Sequence, residues 1–358
     1  MTSALMFGAY IHIPFCSKRC DYCAFATWDN KGDLRDAYME ALLREVEVAN
    51  AEGLPLLDTI FVGGGTPSLV PPELLAKVIQ TLRINNNAEV TVECNPDNVT
   101  EQLLTVYKEA GVNRISLGVQ SMVPHVLQSL GREHQPENVV RAVEAIRAVG
   151  FTSFNMDLIY GAHGESLDDW VHTVETALAL KPPHISAYGL TVEPGTPLAD
   201  DAARHPDDDD QADKYPIVDE MLERAGLHNY EISNWAMASH ESAHNRLYWA
   251  QSNYRGFGCA AHSHENGRRW WNVRTPERYI ELVREGKSVE NASETLSEVQ
   301  MKEERVQLAI RRREGVALSD LPHEIPDELT GLVNVVGENL VLTKEGRLLA
   351  NEVTIRLL

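Results

Sequence analysis

Six short apolar runs, each followed by a segment of helical periodicity, occupy the chain from residue 6 to about 190. MFGAYIHI reads as the first strand and LRDAYMEALLREVEVANAEG as its helix, ending near Gly53. DTIFVGG and PPELLAKVIQTL form the second pair, with proline at the start of the helix. AEVTVEC precedes TEQLLTVYKEAG, where Thr100 is placed as an N-cap. NRISLGV is followed by helical segments around 123–130 and 136–149. FTSFNMDLIY precedes SLDDWVHTVETALAL, and HISAYGL is the sixth strand. Strands separated by helices join through crossovers, so the sheet is expected to be parallel, with right-handed connections. The strands read as apolar on both faces, as expected for a sheet covered by helices. An open doubly wound sheet and a full or partial barrel both satisfy this pattern, and periodicity does not choose between them.

In either closure the functional residues of such a sheet belong at the C-terminal ends of its strands. A cysteine loop follows the first strand and GGGTP (63–67) the second. Glu93 ends the third and Gln120 the fourth, Asp157 lies in the fifth, and Thr191 follows the sixth. Any one of these could be an ordinary surface or capping residue. Their recurrence at one edge, strand after strand, points to a site.

After about residue 200 the alternation stops. The run DDDD at 207–210 reads as a solvated loop, and a helix over 211–225 and a strand in HNYEISNWA follow. Residues 1–235 are expected to form the main unit, and 236–290 a connecting segment rich in His, Trp and Tyr. Residues 291–358 carry a helix, then a short hairpin and a further helix, in keeping with a smaller α+β, winged-helix-like unit. That layout is common in DNA-binding proteins, but a net charge of −21 argues against nucleic acid as a partner. No apolar run approaches the roughly 20 residues of a membrane span. The N-terminal stretch has no Lys or Arg ahead of its apolar residues, so a signal peptide is not expected and a cytoplasmic location is. In that compartment five cysteines suggest metal or catalytic use rather than a disulfide framework.

Three of the five stand in PFCSKRCDYCAF, as Cys16, Cys20 and Cys23. A structural zinc site takes four protein ligands, so this loop is one short unless His12 or Cys94 joins it. A redox dithiol needs two cysteines rather than three. An iron–sulfur cubane suits three thiolates from one loop, leaving its fourth iron to an exogenous chelating molecule. The neighbouring glycine-rich loop would let such a molecule approach the backbone closely.

The spacing CxxxCxxC, with Tyr22 just before the last cysteine, resembles the radical S-adenosylmethionine superfamily. The resemblance implies a partial (β/α)6 barrel, a [4Fe–4S] cluster on Cys16, Cys20 and Cys23, and S-adenosylmethionine chelating the open iron. YIHIPFC, GGGTPS, LGVQS, LGREH and NMDLIYG are together similar to the branch that contains oxygen-independent coproporphyrinogen III dehydrogenase. Carried over by position, Tyr10, Gly64 and Glu93 would contact the first S-adenosylmethionine. Tyr22, Gly65, Thr66, Gln120, Arg132 and Asp157 occupy positions that hold a second one in the dehydrogenase. Arg132 suits a carboxylate, and Asp157 a ribose hydroxyl or an ammonium group.

Three departures separate the chain from the dehydrogenase. Phe25 stands where that enzyme has a further cysteine, and the cysteine loop begins at residue 16, without the enzyme's longer N-terminal extension. HNRLYW at 244–249 matches the HNxxYW signature of the HemW haem chaperones, and YRGFGCAAHSH after it resembles their glycine-rich segment except at Ala261 and Ser263. The imidazole of His244 could ligate haem iron, with Tyr248 and Trp249 giving flat contact, although all three could equally fill a packed loop. His262, His264 and Cys259 are rival ligands. The resemblance therefore implies a haem chaperone rather than an enzyme. It would deliver haem to an acceptor protein, in all the resemblance suggests at the respiratory membrane, with peripheral contact to that membrane and cluster-dependent homodimerisation. The alternatives are a radical decarboxylase of coproporphyrinogen III, a radical methyltransferase using two S-adenosylmethionines, and a zinc-stabilised interaction protein.

Overall fold

A computed structural model describes residues 6–358. Its first half is the expected alternation. Strands β1 (Phe7–Ile13), β2 (Leu57–Gly64), β3 (Ile84–Cys94), β4 (Arg114–Gln120), β5 (Ser153–Tyr160) and β6 (His184–Gly189) are parallel neighbours in that order. Helices α1 (Arg35–Ala51), α2 (Pro72–Thr81), α3 (Glu101–Glu109), α4 (Pro124–Ser129), α5 (Pro136–Ala148) and α6 (Leu167–Ala179) connect them. The Thr100 side chain accepts the Leu103 N–H at 3.1 Å, capping α3 as its sequence implies.

Strand order settles the closure. A doubly wound sheet reverses its order at a switch point and places helices on both faces. Here the order runs from β1 to β6 without reversal, so right-handed crossovers place the helices on one face and leave the other free to curl inward. The chain then extends both edges. α7 (Asp208–Arg224) leads to a hairpin of β7 (His228–Glu231) and β8 (Asn234–Ala236), and β8 runs antiparallel to β6. α8 (Ala243–Trp249) precedes β9 (Asn253–Phe257), which lies parallel to β1. β10 (His262–Glu265), β11 (Arg268–Asn272) and β12 (Glu290–Thr295) continue the sheet as an antiparallel ribbon, with α9 (Pro276–Arg284) between the last two. The twelve strands run in linear order from β12 to β7, so the barrel is partial and open.

The strands are apolar on one face only, unlike the two-sided pattern read from the sequence. Ala9, Ile11, Ile60, Val62, Val90, Val92, Ile115, Leu117, Met156 and Ile185 are buried in the core that the helices cover. The residues alternating with them face the inside of the curl, and most are polar: Thr59, Thr91, Arg114, Ser116, Asn155, Asp157, His184 and Ser186. Asn155 is the hub of that inner layer. Its Nδ2 donates to Ser116 Oγ and Asp157 Oδ1, both at 2.8 Å, and its Oδ1 lies 2.7 Å from His184 Nδ1.

Two further differences have plain causes. The Asp run is the first turn of α7 rather than a loop. Asp207 accepts the Asp210 N–H at 2.9 Å, and carboxylates at 208–210 complement the positive end of the helix. Asp210 also joins Glu165 around the buried ammonium of Lys214, at 2.6 and 3.0 Å. The expected divisions after residues 235 and 290 pass through β8 and β12, because 236–290 supplies strands to the main sheet.

The remaining chain forms α10 (Glu298–Ala309), β13 (Val316–Ala317), a hairpin of β14 (Val333–Val336) and β15 (Asn339–Leu342), α11 (Lys344–Leu348) and α12 (Ala350–Leu357). Its three strands form their own antiparallel sheet, and Val306, Ile310, Val316, Leu329, Leu340 and Val353 form a separate core.

Candidate functional site

The loop after β1 is tied down at both ends. Cys16 N–H donates to Trp28 O at 3.0 Å, Trp28 N–H to Pro14 O at 2.8 Å, and Asp21 N–H to Leu130 O at 3.3 Å. Arg19 donates to Cys23 O through Nε and Nη2, at 3.2 and 2.9 Å. So held, Cys16, Cys20 and Cys23 are half-buried and open onto one cavity of about 620 Å3. Burial pushes the Cys16 thiol up to about 11 and raises that of Cys23. Both thiols therefore need a Lewis acid to become thiolates at neutral pH. Among the described residues no three His, Cys, Asp or Glu side chains converge on a single ion. In a cubane each thiolate takes its own iron, so three cysteines need not converge on one ion.

The same cavity is walled by Tyr22, Gly64, Gly65, Thr66, Glu93, Gln120, Arg132 and Asp157, so eight of the nine residues expected around S-adenosylmethionine meet the three cysteines there. Tyr10 is the exception. It lies on β1 with its hydroxyl 3.0 Å from His12 Nδ1 and faces a different cavity.

The glycine loop works otherwise than its sequence suggests. Gly64 has φ +110°, and a Cβ there would lie 2.5 Å from the His12 ring; at Gly65 it would lie 2.6 Å from Phe15 O. The glycines are needed because the loop packs against the end of β1. Gly65 N–H donates to Ile13 O and Thr66 N–H to Phe15 O, both at 2.7 Å, and Gly64 N–H donates to Glu93 Oε2 at 3.2 Å. Its N–H groups at 64–66 are thus engaged within the protein and are not free to donate to a ligand.

Two of the carboxyls lining this cavity, Glu93 and Asp157, are partly buried and form no ion pair among the described residues. Burial, then the charge of Asp157, pushes Glu93 up to about 8. Burial also raises Asp157, opposed by its hydrogen bonds to Ser116 at 2.9 Å and Asn155 at 2.8 Å. A cationic ligand would relieve both. Arg132 donates to Asn95 Oδ1 at 2.8 Å, Gly118 O at 3.0 Å, His134 Nδ1 at 3.3 Å and Cys20 Sγ at 3.5 Å. Four of its five donors are engaged, so it positions Cys20 and keeps one N–H for a ligand. Gln120 sits at φ +64°, a conformation costly for a side-chain-bearing residue, at a break in the β4–β5 register. Asn95, Ser116 and Tyr188 also line the cavity and were not singled out from the sequence. The polar residue at every second position of RISLGVQ, NMDL and HISAYG was the available signal.

The structure separates the residues of HNRLYW. Glu89 accepts the N–H groups of Ala243 and His244, both at 3.1 Å, and so pins the N-terminus of α8 inside the curl. His244 is 0% exposed. Its Nδ1 lies 2.8 Å from Thr59 Oγ1 and its Nε2 2.9 Å from Tyr248 Oη, and burial pushes its imidazole down to about 3. Both ring nitrogens are therefore engaged within the fold, so ligation of haem by His244 would first break one of these bonds. Trp249, one residue beyond Tyr248, turns toward Arg311, whose guanidinium lies 5.7 Å above its ring. His264 is likewise engaged, with Nδ1 3.0 Å from Ser252 O and Nε2 accepting from Gly267 N–H at 3.2 Å, and Cys259 is fully buried.

Known proteins resemble this arrangement throughout. Residues 10–177 match the Radical SAM superfamily. The heme chaperone HemW of Mycobacterium tuberculosis is 40% identical over 98% of this chain and 95% of its own length. HemW of Bacillus subtilis is 37% identical over 97% and 98%. This chain belongs to the HemW family. HemW of Escherichia coli is 39% identical over 71% of this chain and 68% of its own. Among solved structures, coproporphyrinogen III oxidase (HemN) of Escherichia coli superposes with a TM-score of 0.86 over 98% of this chain and 90% of its own, at 21% identity. That similarity shows a shared fold. No helix among the described residues is long and apolar enough to cross a membrane.

Proposed function

We propose that this protein is a haem chaperone. It carries a [4Fe–4S] cluster on Cys16, Cys20 and Cys23, holds S-adenosylmethionine beside it, and binds haem for delivery to an acceptor protein. The observation that carries this reading is the end-to-end similarity to HemW proteins. The groups lining the first cavity support it: three thiols, and two carboxyls with pKa values raised by burial. When bound, the cluster would supply one electron to the sulfonium of S-adenosylmethionine.

The chain's own residues have these roles in the proposal. Glu93 and the loop 64–66 take the ammonium group of S-adenosylmethionine. Arg132, through its remaining N–H, would meet the carboxylate of a second S-adenosylmethionine, and Asp157, fixed by Ser116 and Asn155, would accept from that molecule's ribose hydroxyl. Phe25, 63% exposed at the cavity rim, stands where the dehydrogenase has a cysteine, and supports haem handling over porphyrinogen oxidation. The acceptor would be a respiratory haem protein at the membrane. Cytoplasmic residence, peripheral membrane contact and pairing with a second copy upon cluster loading belong to the same proposal.

Anaerobic reconstitution with iron and sulfide tests it. The expected product is brown, holds about four irons per chain and binds haem stoichiometrically. A colourless protein holding one zinc, or a brown one without affinity for haem, would sink it.

A further inference from the structure

A second cavity, of about 570 Å3, lies beyond the tail of the cysteine loop. Ala24 and Phe25 line both cavities, so the residues just after Cys23 form the partition. The volume falls in the range of about 300–1,000 Å3 typical of small-molecule sites. Its walls are aromatic: Phe25, Tyr248, Tyr254 and Trp271 surround it. Tyr248 and Tyr254 stand edge to face, with ring centroids 4.7 Å apart. Such walls suit a flat apolar macrocycle.

The cavity contains several candidate Lewis bases, and the geometry sorts them. His12 is engaged through both nitrogens, with Tyr10 Oη at 3.0 Å and Ala26 O at 2.9 Å. Burial raises the phenols of Tyr10, Tyr248 and Tyr254, keeping them protonated and poor ligands. His262 differs. It opens β10, it is exposed, and its imidazole has no hydrogen-bond partner among the described residues. Its ring is stacked on Trp271, with centroids 5.7 Å apart and planes 24° from parallel, which fixes its orientation. Partial burial of the ring, then the charge of Arg269, lowers its pKa, so at neutral pH the uncharged imidazole is available to bind iron. At the rim, Arg274 is exposed and has no acidic partner among the described residues. Its planar fork suits a carboxylate.

We propose that this cavity is the haem site, with His262 as the axial ligand of the iron and Arg274 as the partner of a propionate. The site rests on the haem-chaperone reading and assigns the ligand within it. One dative bond forms from an imidazole nitrogen to iron, and no redox step is involved. The shared partition also places the haem site against the cysteine loop, so a conformational change in Ala24 and Phe25 reaches both.

The test is a haem titration of the anaerobically reconstituted full chain, read by the Soret band. H262A is expected to bind haem at least about tenfold more weakly, with a displaced Soret band that added imidazole restores. H262M is expected to bind with a third Soret position, marking the changed ligand. R274Q is expected to weaken binding of haem severalfold and leave binding of haem dimethyl ester unchanged. Retained cluster absorption and far-ultraviolet circular dichroism show that each variant is folded. Wild-type affinity and Soret position in H262A and H262M would overturn the assignment while leaving the chaperone reading intact. A wild-type protein that does not bind haem would remove both.

Discussion

Glu93 Oε2 accepts the N–H of Gly64 across 3.2 Å, joining the end of β3 to the glycine turn after β2. This bond holds an acidic group beside the loop that faces the cysteines. Burial and Asp157 keep Glu93 protonated up to about pH 8 in the folded chain, against 4.5 for its ordinary value. Between these limits the folded state binds more protons than the unfolded one, so this group's contribution to stability falls as pH rises. E93Q is expected to remove that pH dependence from the ligand-free protein. Each tenfold change in proton affinity is about 1.4 kcal/mol, and solvent in the cavity should reduce the effect to roughly 1–2 kcal/mol. Urea unfolding at pH 5 and 8 measures it; equal slopes with pH in both proteins would contradict it. The same variant should bind S-adenosylmethionine about tenfold more weakly.

Histidines act in the opposite direction. Burial pushes His12 to about 4 and His244 to about 3, and holds His184 well below its ordinary value. Each is neutral when folded and takes a proton when unfolded below about 6.5, so stability is lost as pH falls through that value. H244N is expected to flatten the acid limb of the unfolding curve and to leave the Soret position of bound haem unchanged. A Soret shift in H244N alone would restore His244 as ligand.

How much of this was legible beforehand differs by element. β1 to β6 and their helices were readable because burial against helices imposes strong apolar runs. β10 to β12 were not: HSHE, RRWWN and ENASET lack apolar alternation, and the pairing of β9 with β1 spans more than two hundred residues. The cysteine loop was legible because thiolate spacing carries chemistry locally. HNRLYW pointed to the family, but a sequence motif does not say whether its histidine faces a cavity or the interior, and here both nitrogens lie against Thr59 and Tyr248. His262 stood among the rivals, but its exposure and stacking on Trp271 are visible only in three dimensions.

Glu89 offers a separate check on α8. Its carboxylate accepts two N–H groups at the helix start, both at 3.1 Å. E89A is expected to cost about 1–3 kcal/mol, since it leaves these donors unpaired in the interior. E89Q keeps one acceptor and should cost less. Chemical denaturation measures both, and a neutral E89A would mean that α8 is held by packing alone.

The glycine turn makes a steric prediction. G64A would place a Cβ 2.5 Å from the His12 ring at φ +110°, whereas at Gly53, with φ +96°, a Cβ meets nothing within 4 Å. G53A should therefore cost about 1–2 kcal/mol for backbone strain, and G64A several kcal/mol more through overlap. Similar midpoints for the two variants in urea would contradict the packing described here.

Cys20 lies between the cluster loop and Arg132, at 3.5 Å from Nη1. C20A is expected to lose the cluster absorption and at least about three-quarters of bound iron. The small C-terminal unit has its own core of Val306, Leu329, Leu340 and Val353, so it should remain folded. Iron analysis together with limited proteolysis reads the two outcomes separately.

The most direct test offers haem and coproporphyrinogen III in parallel to the reconstituted protein, with S-adenosylmethionine and a reductant present. A haem chaperone should develop a Soret band at one haem per chain and form no protoporphyrinogen. Conversion of coproporphyrinogen III without stoichiometric haem binding would contradict it.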